Sequence, residues 1–284
     1  MNTTRPSYLD EQIASVKDKG FLAYRTGELP TWCPGCGYFG ITDAIYRACL
    51  ELGLNNEDIC AVSGIGCAGR FPVFMNVYGF HTLHGRSVPV ASGVKLARED
   101  LTVFAVAGDG DALGIGGGHL PHVARRNIDI TLFLFDNSIY GLTKGQSSAT
   151  TLYGQKTSSH PGGNPDSPVN PVKLALAYGA SFVARGFAGE PEGLKHIIKK
   201  AIVHKGFSFV HITSPCVTFD KSNFTWKNLK ENHSPIDESL HDVRDMEAAM
   251  RMAEHERFKL GVFYQDSKRL SYHDNLRQLA LKGA

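Results

Sequence analysis

Blocks of apolar residues alternate with polar stretches along this chain, and the spacing inside each block separates helices from strands. Ile41, Ala44, Ile45, Ala48 and Leu52 fall at helical intervals and Gly53 follows, so residues 41–52 read as an amphipathic helix. Residues 59–63, 101–107, 128–135, 181–185 and 208–213 are short apolar runs rich in β-branched and aromatic side chains, and they read as buried strands. Residues 89–97, 171–178 and 191–205 read as helices, the last with Ile197 and Ile198 on its core face. A Gly- and Ala-rich segment from Gly110 to Arg126 is expected to be the helix that crosses between two of the strands. Strands alternating with helices predict an α/β fold, a doubly wound parallel sheet covered on both faces.

The remaining segments divide the chain. Residues 1–30 are polar and mixed in charge and read as an N-terminal arm. Tight loops are expected at 31–37 (TWCPGCG), 64–69 (GIGCAG) and 81–86 (HTLHGR). Residues 147–170 are rich in Ser, Thr, Gly and Pro, and a loop this long in a compact domain is usually functional or a lid. Residues 220–284 are charged, with no strand expected before Gly261–Tyr264, and read as a C-terminal extension. The main domain then spans residues 31–219.

Composition narrows the classes. With 284 residues, 42% of them hydrophobic and 20% charged, the chain can bury a sizeable core without disulfides. A net charge of +2 and the lack of any long block of like charge argue against nucleic acid as a partner. The N-terminus has no apolar signal region, and no run is long enough to span a membrane, so no membrane partner and a cytoplasmic location are expected. Thiols stay reduced there, so six cysteines point to metal or catalysis before disulfides.

The chemistry gathers at strand ends. Asp109 and Asn137 each follow an apolar strand, and in open α/β sheets ligands bind at the carboxyl edge. A carboxylate and an amide oxygen suit a hard cation such as magnesium that also takes phosphate oxygens. Glycines beside Asp109 allow backbone N–H groups near a diphosphate, and the helix after Gly110 would point its positive end at it. Gly108-Asp-Gly110, residues 111–136 and then Asn137 resemble the thiamine diphosphate box. That resemblance implies that Asp109, Asn137 and the Ile139 carbonyl hold magnesium, which holds the diphosphate.

Gly64-Ile-Gly-Cys-Ala-Gly69 matches a dinucleotide fingerprint, but Pro72 is expected to prevent a following helix and no acidic residue lies about twenty positions on. NAD binding is therefore rejected. Cys33-Pro-Gly-Cys36 alone reads as a redox dithiol, a zinc half-site or half an iron–sulfur site. Cys67 and Cys216 also sit in loops after strands, and four thiolates could meet at one sheet edge. Cys49 and Cys60 fall inside a helix and a strand and read as small buried apolar residues. His119 and His122 read as helix-surface or interface residues, and Arg86 as a charge facing the diphosphate.

The segments WCPGCG (32–37), GIGC (64–67), HGR (84–86), GDGD (108–111), DN (136–137) and YGLTKGQ (140–146), in this order, resemble the β subunit of 2-oxoacid:ferredoxin oxidoreductases from about Thr31 to Phe219. The tail, with Leu260–Tyr264, is also similar. The resemblance implies one 4Fe-4S cluster on Cys33, Cys36, Cys67 and Cys216, with zinc on the same thiolates as the alternative. It implies that thiamine diphosphate is bound by Gly66, Cys67, His84, Gly108, Asp109, Gly110, Asp111, Asn137, Ile139, Gly141, Leu142 and Thr143. It implies an α subunit that supplies the catalytic Glu and most coenzyme A contacts, and a ferredoxin that takes the electrons. Arg70 and Lys144 follow the cysteine and Asn137 loops, and family members that take 2-oxoglutarate tend to carry basic residues there. A buried second carboxylate needs such partners. The expected reaction is 2-oxoglutarate, coenzyme A and oxidised ferredoxin to succinyl-CoA, carbon dioxide and reduced ferredoxin. Pyruvate or another 2-oxoacid is the alternative substrate, and a non-redox thiamine lyase subunit with structural zinc the alternative class.

Overall fold

The computed structural model describes residues 20–255 and 258–283. Most of the arm expected at residues 1–30 lies outside them. The strands are β1 (Ile59–Ser63), β2 (Tyr78–His81), β3 (Thr102–Gly108), β4 (Thr131–Asp136), β5 (Ile139–Tyr140), β6 (Gln146–Ser147), β7 (Phe182–Phe187), β8 (Ser208–Thr213), β9 (Ser234–Pro235) and β10 (Lys259–Gln265). The helices are α1 (Tyr38–Glu51), α2 (Phe71–Phe74), α3 (Ser87–Ala97), α4 (Leu120–Arg126), α5 (Pro171–Ala177), α6 (Pro191–Val203), α7 (Trp226–Asn232), α8 (Met246–His255) and α9 (Tyr272–Gly283).

Eight strands form one sheet in the order β2–β1–β3–β4–β8–β7–β10–β9. From β2 to β7 every pairing is parallel, and β10 then runs antiparallel to β7. Alternation along each strand sends side chains to two cores. Ile59, Ala61, Phe104, Val106, Phe133 and Phe135 pack on one face with α1 and α6. Cys60, Val62, Val103, Ala105, Leu132 and Leu134 pack on the other with α3, α4, α5 and α8. Both faces are covered, which is why the central strands are continuously apolar. The fold is the expected doubly wound α/β arrangement.

This topology positions the site. β1, β3, β4 and β8 are neighbours and run the same way, so the loops that leave their carboxyl ends share one edge. Those loops carry Cys67, Asp109, Asn137 and Cys216. Helix α1 ends before the start of β1, so its own start, next to Cys33 and Cys36, returns to that same edge.

Four local expectations need correction. The segment after Asp109 is not one helix. Gly110–Ile115 is a single wide turn with a kink at Gly114, and regular helix begins only at Leu120, because four glycines within residues 114–118 give the helix no support. Any dipole at the sheet edge is therefore that of one turn. Pro72 does not prevent a helix: it sits in the first turn of α2, where its missing N–H costs nothing. Strand β2 was not expected, since it is an exposed edge strand with no apolar core face to betray it. The tail forms the short strand β9 before Gly261, and β10 extends the main sheet through β7. Arg269 fastens the tail by donating from Nη2 to the carbonyls of Ala124 (3.0 Å) and Arg125 (2.8 Å) at the end of α4.

Candidate active site

All twelve residues expected to touch thiamine diphosphate line one cavity of about 180 Å³, together with Tyr38, Ile65, Ala68 and Tyr140. They come from the three loops that leave β1, β3 and β4 at the carboxyl edge, from a fourth that follows β2, and from the start of α1. Arg70 and Lys144 do not line it. Both are exposed beside lining residues, Arg70 two positions after Ala68 and Lys144 next to Thr143. Arg86 also turns away, its Nη1 lying 3.2 Å from His119 Nε2.

Asp109 and Asn137 are both buried at the cavity wall. Burial, and then the Asp136 carboxylate, push the Asp109 carboxyl well above the usual range. Thr150 Oγ1 lies 2.9 Å from Asp109 Oδ2 and 2.8 Å from Asp136 Oδ1. A hydroxyl has one hydrogen, so it cannot satisfy both carboxylates at once. Asp136 has other donors: the Ser138 N–H at 2.9 Å and His211 Nε2 at 2.8 Å. These bonds hold Asp136 below the usual carboxylate range despite its burial. Asp109, whose donors among the described residues are the Thr150 and Ser148 hydroxyls and a backbone N–H, has no imidazole or cation beside it, and the demand for positive charge falls there. The donor set of Asp109 and Asn137 thus fits a hard cation.

Ser138 takes a left-handed φ of 60°, which turns the chain sharply between Asn137 and Ile139. Its hydroxyl donates to the Thr150 carbonyl at 2.8 Å, and Thr151 Oγ1 donates back to the Ser138 carbonyl at 2.7 Å. The stretch expected to be functional or a lid is, in this part, a buried brace beneath the Asn137 loop. Asp111 serves the cavity indirectly. Its Oδ1 accepts from Gly85 N–H at 2.6 Å and Ile65 N–H at 3.3 Å and lies 2.7 Å from His84 Nδ1, so it pins two loops and one ring. Its other oxygen is buried without a partner.

The four loop cysteines lie beside this cavity. A Cβ built on Gly141 would stand 3.6 Å from the sulfurs of both Cys67 and Cys216, and 3.6 Å from Asn137 Nδ2. The two thiols and the Asn137 amide therefore surround one small space. Gly37 lets the Cys33–Cys36 loop approach, because a Cβ there would collide with Ser214 Oγ. Trp32 Nε1 donates to the Cys67 carbonyl at 2.7 Å and Trp226 Nε1 to the Gly35 carbonyl at 3.0 Å, which ties the cysteine loops together. Burial and the other three cysteines raise the Cys36 thiol to about 12, and burial with Cys216 and Cys33 raises Cys67 to about 11. Cys49 and Cys60 are buried in the two apolar cores, as expected.

Several participants escaped the sequence reading. Tyr38, Thr150, His211 and Arg185 belong to no motif, and only the sheet register brings the last two behind Asp136; Tyr140 opens the YGLTKGQ motif but was given no role. Tyr140 donates to the Gly110 carbonyl at 2.9 Å.

Residues 64–212 match the model of the thiamine pyrophosphate enzyme C-terminal TPP binding domain. Residues 216–280 match the model for the C-terminal part of the pyruvate ferredoxin oxidoreductase β chain. Subunit β of 2-oxoacid:ferredoxin oxidoreductase 2 from Aeropyrum pernix is 41% identical over 272 residues, covering 92% of this chain and 88% of that one. The chain belongs to the β subunits of the 2-oxoacid:ferredoxin oxidoreductases. A Mycobacterium tuberculosis member of this family, 2-oxoglutarate oxidoreductase subunit KorB, is 50% identical over 193 residues, 68% of this chain and 52% of the relative. Among solved structures, a 2-oxoglutarate:ferredoxin oxidoreductase from Magnetococcus marinus with 2-oxoglutarate, coenzyme A and succinyl-CoA bound superposes with a TM-score of 0.89. It shares 43% identity, over 92% of this chain and 90% of that one. The thiamine diphosphate-binding domain of this β subunit therefore includes the cavity and the strand ends around it. Among the described residues no helix is long and apolar enough to cross a membrane.

Proposed function

We propose that this β subunit, joined to an α subunit, converts 2-oxoglutarate, coenzyme A and oxidised ferredoxin into succinyl-CoA, carbon dioxide and reduced ferredoxin. The observation that carries the reading is the convergence of all twelve cofactor residues on one cavity that shares Cys67 with the cysteine group. The relatives named for 2-oxoglutarate, and the neighbour with that acid bound, support the substrate.

Asp109, Asn137 and the Ile139 carbonyl would hold magnesium, and the glycines of the 108–110 turn would leave room for the diphosphate. Cys33, Cys36, Cys67 and Cys216 would hold one 4Fe-4S cluster. Among the described residues no three His, Cys, Asp or Glu side chains close on a single ion. Bound thiamine diphosphate supplies the carbanion chemistry and an adjacent cluster the one-electron steps, as cofactors do for hard chemistry. The chain's share is to hold the diphosphate end, keep the site lined with apolar and backbone groups, and place the cysteines against the same wall. Arg70 and Lys144, exposed at its margin, would meet the far carboxylate of 2-oxoglutarate once the cavity is covered by the α subunit. None of the six cysteines is in a disulfide, which suits a cytoplasmic enzyme.

The test is an anaerobic assay of the co-purified α and β subunits against a panel of 2-oxoacids with coenzyme A and ferredoxin. Preference for 2-oxoglutarate supports the reading. Preference for pyruvate would move the substrate, and an iron-free, zinc-containing complex would overturn the redox assignment.

A further inference from the structure

Behind the cavity wall lies an ordered row of polar side chains of which sequence motifs mark only the two carboxylates, Asp109 and Asp136. Arg185 Nε donates to His211 Nδ1 at 2.9 Å, and His211 Nε2 lies 2.8 Å from Asp136 Oδ2. Asp136 Oδ1 lies 2.8 Å from Thr150 Oγ1, which lies 2.9 Å from Asp109 Oδ2. All five residues are at most 4% exposed. They come from β7, β8, the end of β4, the 147–170 loop and the turn after β3.

The sheet register builds the row. Arg185 is paired with His211, and His211 with Leu134 on the next strand. Asp136 is two residues beyond Leu134, so it projects from the same face and meets the ring. A guanidinium N–H only donates, so His211 Nδ1 must accept. The hydrogen on the ring is then on Nε2, where Asp136 receives it. Asp136 is thereby fixed in orientation from behind. Its Oδ1 takes the Ser138 N–H, which shapes the Asn137 turn, and faces the Thr150 hydroxyl. The Asn137 turn is thus held by this buried carboxylate, and Asp109 by the Thr150 hydroxyl that stands between the two carboxylates.

The geometry points to Thr150, Asp136 and His211 as positioning residues that set Asp109 and the Asn137 turn for cation binding, with Arg185 fixing the His211 ring. This rests on the reading that Asp109 holds magnesium. It goes beyond it in assigning the affinity of that site to a row reaching three strands away. Groups that orient metal ligands typically matter by about ten- to a hundredfold in metal affinity.

The experiment uses the α–β complex stripped of cofactor, titrated with MgCl₂ at fixed thiamine diphosphate and followed by calorimetry. Thr150→Val, which keeps shape and loses the hydroxyl, is expected to weaken magnesium-dependent binding by about ten- to a hundredfold, and Thr150→Ser to recover it to within about threefold. His211→Phe is expected to act in the same direction, and the Thr150→Val/His211→Phe double variant to lose less than the product of the two single effects, because they act through one row. A purely structural role would lower thermal stability and leave the affinity and the serine recovery unmoved. If the valine variant does not assemble, Thr150→Cys, with similar volume and a weaker donor, replaces it. Asp109→Ala is the control. If it abolishes magnesium binding while Thr150→Val binds as the parent does, the row is overturned and the cation site stands. If Asp109→Ala also binds as the parent does, the cation site falls, and the row's role with it.

Discussion

His84 Nδ1 lies 2.7 Å from Asp111 Oδ1, a contact that joins the loop after β2 to the turn after β3 across the cavity wall. The same oxygen receives two backbone N–H groups, from Ile65 and Gly85. Removing the carboxylate strands these buried donors. Hydrogen bonds to a charged group are worth roughly 1.5–3 kcal/mol each, so Asp111→Ala should destabilise the chain by about 3 kcal/mol or more. It should also free the His84 ring and weaken thiamine diphosphate binding. Denaturant unfolding of the cofactor-free complex checks the first effect, and a parent-like midpoint would show that the loops are held by other contacts.

The four loop cysteines form the second test. Replacing Cys33, Cys36, Cys67 or Cys216 by Ser should bleach the visible absorbance of the complex and lower its iron content, whereas Cys49→Ser and Cys60→Ser should not. Gly141→Val should act like the first group, because its methyl groups would enter the space between the Cys67 and Cys216 sulfurs. Iron analysis decides, and full iron in Cys216→Ser would remove it from the ligand set.

Asp109→Ala should remove magnesium and thiamine diphosphate together while the apoprotein still folds, since the strands are buried independently of that turn. The parent chain carries a pH signature. Burial and Asp136 push the Asp109 carboxyl up to about 7. The folded chain then holds this proton more tightly than the unfolded chain does. Without a cation, stability should fall as pH rises from the ordinary carboxylate range to about 7. A cation must displace the proton, so magnesium affinity should rise by about tenfold per pH unit below that point and level off above it. Calorimetric titration at several pH values measures the slope, and a flat profile would contradict the linkage.

Arg70 and Lys144 carry the substrate test. Loss of one charge-assisted hydrogen bond should lower kcat/KM for 2-oxoglutarate by about ten- to a hundredfold in Arg70→Ala or Lys144→Ala. Pyruvate, which lacks the second carboxylate, should be nearly unaffected. Equal losses on both acids would assign these residues to the cofactor or the fold.

The sequence by itself determined that strands β1, β3, β4, β7 and β8 exist and where they lie, to within three residues at their ends, since each is a buried apolar run of strand length. It also marked Asp109, Asn137 and the four loop cysteines, because strand ends and Gly-rich loops carry chemistry in recognisable patterns. Tertiary structure alone decided the rest. The exposed strand β2 had no core face to signal it, and the glycines after Asp109 dissolved a helix into one turn. Arg185 and His211 look like ordinary strand residues, yet the register between β7, β8 and β4 buries them in a line behind Asp136. Thr150 sits in a polar loop whose length suggested a functional loop or a lid, but nothing in its composition showed that its hydroxyl lies between two carboxylates. Sequence patterns report which face of an element is buried. What that face meets depends on partners dozens of residues away, and only strand order and register set those.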